Sequence, residues 1–291
     1  MSRIVDFSGV WIPIVTPFRD HRVDHGALAA LVRRLAGDGV AGFVVCATTG
    51  EAPLLSDAER SDVLATIKAS TSLPLIMGAS ATTADEVLRR VAAAAAHAPT
   101  AFLVTPPPYL RPSQDALKTF FTTIADASPA PLVVYDIPAR TGVRLELATQ
   151  LALAAHPNIA ALKDCGGRID QTEALIADGR LQVLCGNDNE WFSTRCLGGA
   201  GAIAASAHLC TRLFVAFDAA LARGDLATGR ALWRRLKPLA VGLFEEPSPG
   251  PVKAVLAAQG ECANELRAPM TVASPGLVDR LMSLVEALPE T

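Results

Sequence analysis

Eight short, continuously apolar segments recur along the 291-residue chain, most of them ending in Gly, Pro or Asp and each separated from the next by an amphipathic stretch. They are GVWIPIVTP (9–17), GFVVCATTG (42–50), LPLIMGAS (73–80), TAFLVTPP (100–107), PLVVYDIP (131–138), IAALKDCGG (159–167), LQVLCGND (181–188) and GAIAASA (201–207). Unbroken hydrophobicity is what a strand buried on both faces requires, and such strands belong to parallel sheets. In the spacers, Leu28, Leu31, Val32 and Leu35 share one helical face, and Ser56 with Glu59 and Thr83 with Glu86 read as capping boxes. Eight β-then-α units joined by right-handed crossovers predict an α/β fold, a (β/α)8 TIM barrel. An open doubly wound sheet is the alternative; it usually carries a Gly-rich first turn, and GVWIPIVTPF contains no G-x-G-x-x-G. From 208 onward the pattern is helical, broken by EEPSPGPVK (245–253). Residues 1–207 are thus expected to hold the barrel strands and helices. Residues 208–291 would add the last barrel helix and a C-terminal helical layer, all as one structural unit.

Charge and composition narrow the partners. Five lysines and 21 arginines are scattered among 29 acids for a formal charge of −3, which leaves no basic stripe for nucleic acid or anionic lipid. No apolar run approaches the length of a membrane span, and MSRIVDFSGV lacks a secretory core, so a cytoplasmic protein acting on small molecules is expected. The six cysteines form no C-x-x-C pair, and neither a zinc ribbon nor a disulfide framework is suggested.

Catalytic groups of such barrels stand at the C-terminal ends of the strands. The reactive side chains there are Thr48, Thr49 and Glu51; Tyr109; Tyr135, Asp136 and Arg140; Lys163 and Asp164; and Asp188. Lys163 ends the apolar run IAAL, where poor solvation of its charged form would lower its pKa and make it a nucleophile. Equally, it could snorkel to solvent or pair with Asp164. Lys68, Lys118, Lys237 and Lys253 lie in helical or loop context, which leaves Lys163 as the strand-end candidate. Tyr109 and Tyr135, the only tyrosines, both fall on this rim, where a phenol can shuttle protons or simply pack. The Thr48-Thr49-Gly50 turn suits a carboxylate or is a plain polar loop, and Arg140 is a second carboxylate clamp or a surface arginine. His21 and His25 have no third ligand nearby and read as a solvated face rather than a metal site; no metal is expected. The Gly-Gly-Ala-Gly run at 198–201 lacks the Lys-Ser/Thr of a phosphate loop.

Six motifs in this order resemble the dihydrodipicolinate synthase and N-acetylneuraminate lyase family of pyruvate-dependent aldolases, almost end to end. They are Thr48-Thr49-Gly50-Glu51, Tyr109-Leu110-Arg111-Pro112-Ser113, Tyr135 through Gly142, Ala161-Leu162-Lys163-Asp164, the Gly186 loop and Glu246 through Lys253. The resemblance implies that Lys163 forms an imine with pyruvate while the Thr48-Thr49 turn, chiefly Thr49, holds the carboxylate. Tyr135 would move protons, linked through Thr48 to a Tyr109 that crosses from a neighbouring subunit of a homotetramer. Gly186 and Ile203 would line the pocket with main-chain groups, and Arg140 would bind the carboxylate of aspartate β-semialdehyde. No cofactor is implied. Arg140 favours the synthase over the sialate lyases. Asp136 stands where the family usually has Asn, and Cys165-Gly166-Gly167 replaces its usual Glu, small residue, Ser or Thr, Gly. A sister aldolase, or a dehydratase or deaminase on a related 2-oxo acid, is therefore the alternative, and a non-catalytic ligand-binding barrel a second. Asp57, Arg60 and Pro108 occupy positions where lysine-inhibited relatives place His and Tyr, with only Glu86 retained, which predicts weak or absent feedback by lysine.

Overall fold

The computed structural model of the protein describes residues 5–288. Eight parallel strands carry the eight apolar segments: β1 (Gly9–Pro13), β2 (Gly42–Val45), β3 (Leu75–Gly78), β4 (Ala101–Val104), β5 (Leu132–Asp136), β6 (Ile159–Asp164), β7 (Gln182–Cys185) and β8 (Gly201–Ile203). They hydrogen-bond in the order β1-β8-β7-β6-β5-β4-β3-β2 and close, so the barrel expected from the segment pattern is the fold. The strands are shorter than the apolar runs because each run ends in the loop that leaves the barrel. A two-residue antiparallel pair, Phe18–Arg19 with Arg22–Val23, follows β1.

Contacts group the chain into two compact units, residues 5–8 with 74–203 and residues 9–73 with 204–288. In the first, β3 to β8 alternate with α3 (Ala84–Ala95), α4 (Gln114–Ala127), α5 (Pro138–Thr141), α6 (Leu147–Ala154), α7 (Ile169–Asp178) and α8 (Trp191–Cys196). The register between β5 and β6 sets Tyr135 beside Lys163 and Asp136 beside Asp164. Thr83 caps α3 by accepting from the Glu86 amide at 3.2 Å. The Glu86 carboxylate turns instead to Arg89 and Arg90, so only half of the expected capping box forms. Two guanidiniums one turn along offer charge-assisted bonds that outcompete a single backbone N–H.

In the second unit β1 pairs with β2, and α1 (His25–Gly37) buries Leu28, Leu31, Val32 and Leu35 as its periodicity requires. The box at the start of α2 (Asp57–Ser70) is complete, with Ser56 and Glu59 bonding each other's backbone. The C-terminal segment supplies α9 (Thr211–Ala222), α10 (Leu226–Gly242), α11 (Gly250–Ala258) and α12 (Pro275–Glu286). Buried His208 ties this segment to the strand: its Nε2 accepts from Val15 N at 3.2 Å while Nδ1 meets Ala205 O at 2.8 Å. Burial pulls its pKa down to about 4, which keeps the ring neutral, as an accepting nitrogen must be.

Candidate active site

Successive side chains of a strand point to opposite faces, so the paired ends of β5 and β6 present two different couples. Tyr135 and Lys163 form one. Lys163 is 5% exposed, and its Nζ sits 4.2 Å from the centroid of the Tyr135 ring, an attraction of cation to π-face when the amine is charged. Among the described residues it makes no ion pair, and it neither snorkels nor reaches Asp164. That carboxylate accepts instead from the Gly166 amide at 2.8 Å and from the Thr172 hydroxyl. Burial holds the Lys163 amine below the ordinary lysine value, and the positive charge of Arg140 pushes the same way against nearby Cys165 and Asp188. A larger fraction of the neutral, nucleophilic amine at neutral pH is the consequence.

Around this amine the structure is close-fitting. A methyl group on Gly186 would overlap Cys165 Sγ and stand 2.9 Å from both Cγ and Cε of Lys163, so only glycine lets the lysine lie where it does. The Cys165 thiol reaches the Tyr135 hydroxyl at 3.9 Å. Burial pushes its pKa up to about 12, which leaves it protonated and a poor nucleophile beside the lysine. Asp188, following β7, and Ile203, ending β8, are buried as well.

The second couple, Asp136 and Asp164, belongs to the opposite face. Asp136 is 1% exposed and accepts from Leu145 N and from Gln150 Nε2, both at 3.3 Å. Gln150 Oε1 in turn accepts from Gln171 Nε2 at 2.9 Å, and the same Gln171 group reaches Leu145 O at 2.8 Å. A closed ring of hydrogen bonds thus joins β5, the segment before α6, α6 and α7.

In the second unit, the turn after β2 carries Thr48 and Thr49, the latter buried. It continues into Glu51, whose φ of 53° is rare for a residue with a side chain. The Glu51 carboxylate holds that conformation: Oε1 accepts from Lys253 Nζ at 2.8 Å and Oε2 from Arg267 N at 3.0 Å. Lys253 is fully buried and also donates to Thr16 O at 2.9 Å, while Thr16 Oγ1 donates to Gly50 O at 2.8 Å. Its amine lies 4.4 Å from the Phe18 ring centroid. Burial lowers the Lys253 pKa also, with Glu51 opposing. Among the described residues two lysines are buried, and the one at the strand end is the one that makes no ion pair. The sequence placed Lys253 in helical or loop context and at the end of the Glu246–Lys253 motif, without its partner, which lies 202 residues away.

Two expected site residues stand apart from this buried cluster. Tyr109 is 91% exposed, with φ of 72°, and Leu110 beside it is 58% exposed. Its amide bonds Thr141 O at 3.2 Å, fixing the loop but leaving the phenol facing solvent. Arg140, on α5, is exposed too, within electrostatic reach of Lys163.

Comparisons with known proteins bear on this arrangement. The model of the Dihydrodipicolinate synthetase family matches residues 6–288. A 4-hydroxy-tetrahydrodipicolinate synthase from Hyphomonas neptunium is 39% identical over 287 residues, covering 96% of this chain and 98% of that protein. The crystal structure of dihydrodipicolinate synthase from Thermotoga maritima superposes with a TM-score of 0.94 at 31% identity, covering 98% of this chain and 99% of that one. A monomeric dihydrodipicolinate synthase variant superposes equally well, TM-score 0.94 at 30% identity over 97% of each chain.

Proposed function

Because the chain belongs to the dihydrodipicolinate synthetase family, we propose that it is a lyase that condenses pyruvate with L-aspartate-4-semialdehyde to give 4-hydroxy-tetrahydrodipicolinate. The observation that carries this reading is the buried amine of Lys163, in no ion pair and lying against the ring of Tyr135. The neutral amine adds to the C2 carbonyl of pyruvate, and water leaves to give an imine. Loss of a C3 proton makes an enamine, whose carbon attacks the aldehyde and re-forms the imine; the amino group of the semialdehyde then displaces the Lys163 amine at C2, closing the ring and freeing the enzyme. Tyr135 supplies and removes protons in these steps, with Thr48 and Tyr109 completing its relay. Thr49 holds the pyruvate carboxylate, main-chain groups of Gly186 and Ile203 line the pocket, and Arg140 receives the carboxylate of the semialdehyde. The scheme calls for no metal and no organic cofactor.

Among the described residues no helix is long and apolar enough to cross a membrane, and a cytoplasmic location fits a biosynthetic activity of this kind. The exposed Tyr109 and Leu110 suit a homotetramer in which Tyr109 crosses an interface. Feedback by lysine is weak or absent: Arg60 is buried and donates to Ala52 O at 3.2 Å, and Glu86 is occupied by Arg89 and Arg90.

Incubation with pyruvate, reduction by borohydride and digestion should leave a pyruvyl mass increase on Lys163. No adduct, or an adduct on another lysine, overturns the imine scheme. If kcat/KM with the semialdehyde is negligible beside that with 2-keto-3-deoxy sugar acids, the synthase reading falls and the sister-aldolase reading takes its place.

A further inference from the structure

Behind the imine-forming couple lies a pair of carboxylates with a single guanidinium, that of Arg144, beside them. Asp136 Oδ2 and Asp164 Oδ1 approach one point, the place a Cβ on Gly166 would occupy, at 3.1 and 3.0 Å. Arg144 Nη1 lies 3.2 Å from the same point, and this guanidinium also donates to Gly166 O. The charged groups facing Asp136 are thus Asp164 from β6 and Arg144 from the segment before α6; α6 and α7 contribute the neutral Gln150 and Gln171. Backbone bonds carry this cluster to the reactive face. Cys165 N donates to Asp136 O at 2.9 Å and Gly186 N to Asp164 O at 2.8 Å, so the strand ends bearing Tyr135, Lys163 and Gly186 are held through these two residues.

We propose that Asp136 is a positioning residue of the imine-forming site, working as an uncharged acid beside the Asp164 carboxylate and thereby letting the ends of β5 and β6 stay together. Arg144 can compensate one of two ionised carboxylates converging on one buried point, so a second would still be repelled, and the small Cys165-Gly166 segment beside them would give way first. The inference rests on Lys163 being the imine former. Burial, with the charge of Asp164 adding to it, raises the Asp136 pKa to about 7, so the acid form is present below that pH and lost above it. Lys163 needs the opposite change, since its amine must lose a proton to react. The two opposed titrations make imine formation rise and then fall with pH.

Asp136→Asn keeps the shape and the hydrogen-bonding capacity and removes the ionisation. The rate of pyruvate-imine formation on Lys163, read by mass after borohydride quenching between about pH 6 and about pH 9, should fall on the alkaline side in the wild type. In D136N it should rise to a plateau, exceeding the wild type at the alkaline end by about tenfold or more, the factor by which the competent fraction has dropped. Thermal unfolding supplies the second reading. A carboxyl with a raised folded-state pKa binds its proton more tightly when folded, so wild-type stability declines from the unfolded Asp value of 3.8 up to about 7 and then levels. D136N should lack that decline. Parallel rate profiles, with imine formed in both proteins, overturn the inference and leave the imine scheme standing. Absence of imine in both at every pH overturns the two together.

Discussion

At the scale of single residues, what distinguishes Lys163 is the company it lacks. Both buried lysines are depressed by desolvation, but Lys253 is clamped to Glu51 at 2.8 Å whereas Lys163 has the face of Tyr135 and the bare backbone of Gly186. Gly186→Ala tests how closely that setting is tuned. The added methyl must displace the lysine side chain or the Cys165 thiol, and misplacement of a reacting atom by about 1 Å costs about a hundredfold in rate. We expect kcat to fall by that order, with a stability loss of about 1–3 kcal/mol from the overpacking; an alanine variant with normal kcat would mean that the pocket yields freely. The sequence singled out Lys163 as the strand-end lysine but left it equally able to snorkel or to pair with Asp164; its burial and the lack of that pair come from the fold. The role of Asp136 was not legible, because it comes from Leu145, Gln150 and Gln171, brought to it by three different elements.

At the scale of elements, the turn after β2 depends on a helix far away in sequence. Lys253 is on α11, and Arg267 lies in the segment between α11 and α12. Arg267 also pairs with Glu59 of α2 and donates to Leu54 O at 2.8 Å. Removing one partner of a buried pair leaves the other charge uncompensated, at a cost of about 3–5 kcal/mol. Lys253→Met should therefore lower the unfolding free energy by that amount in urea titration. Adding Glu51→Leu should restore much of it, whereas an additive double variant would show that the pair is not coupled. The strands and the capping box of α2 were legible because they are written in local periodicity and spacing. The Glu51 latch was invisible because a lysine at the start of a helix looks the same whether its partner is solvent or a buried carboxylate.

At the scale of the whole molecule, the closed order of eight parallel strands was readable from the repetition of apolar runs, together with the lack of the Gly-rich first turn that an open doubly wound sheet usually carries. The homotetramer is an expectation that only family resemblance supplies, because one chain's sequence does not mark which exposed residues meet a copy. Tyr109 provides the test. If it crosses an interface to complete the proton relay, Tyr109→Ala should shift the sedimenting species to smaller assemblies and lower kcat together, by about one to two orders of magnitude. A variant that sediments and turns over like the wild type would remove Tyr109 from both roles.

The pleat of β5 and β6 divides labour by parity: Tyr135 and Lys163 share one face, Asp136 and Asp164 the other. Deleting or inserting one residue in either strand would exchange the two sets, aiming carboxylates at the substrate and burying the amine among them. Length changes can therefore accumulate in the loops beyond these strands while the strands themselves admit only substitution. Variation of this protein towards new acceptors is channelled into the residues after Asp136 and Asp164.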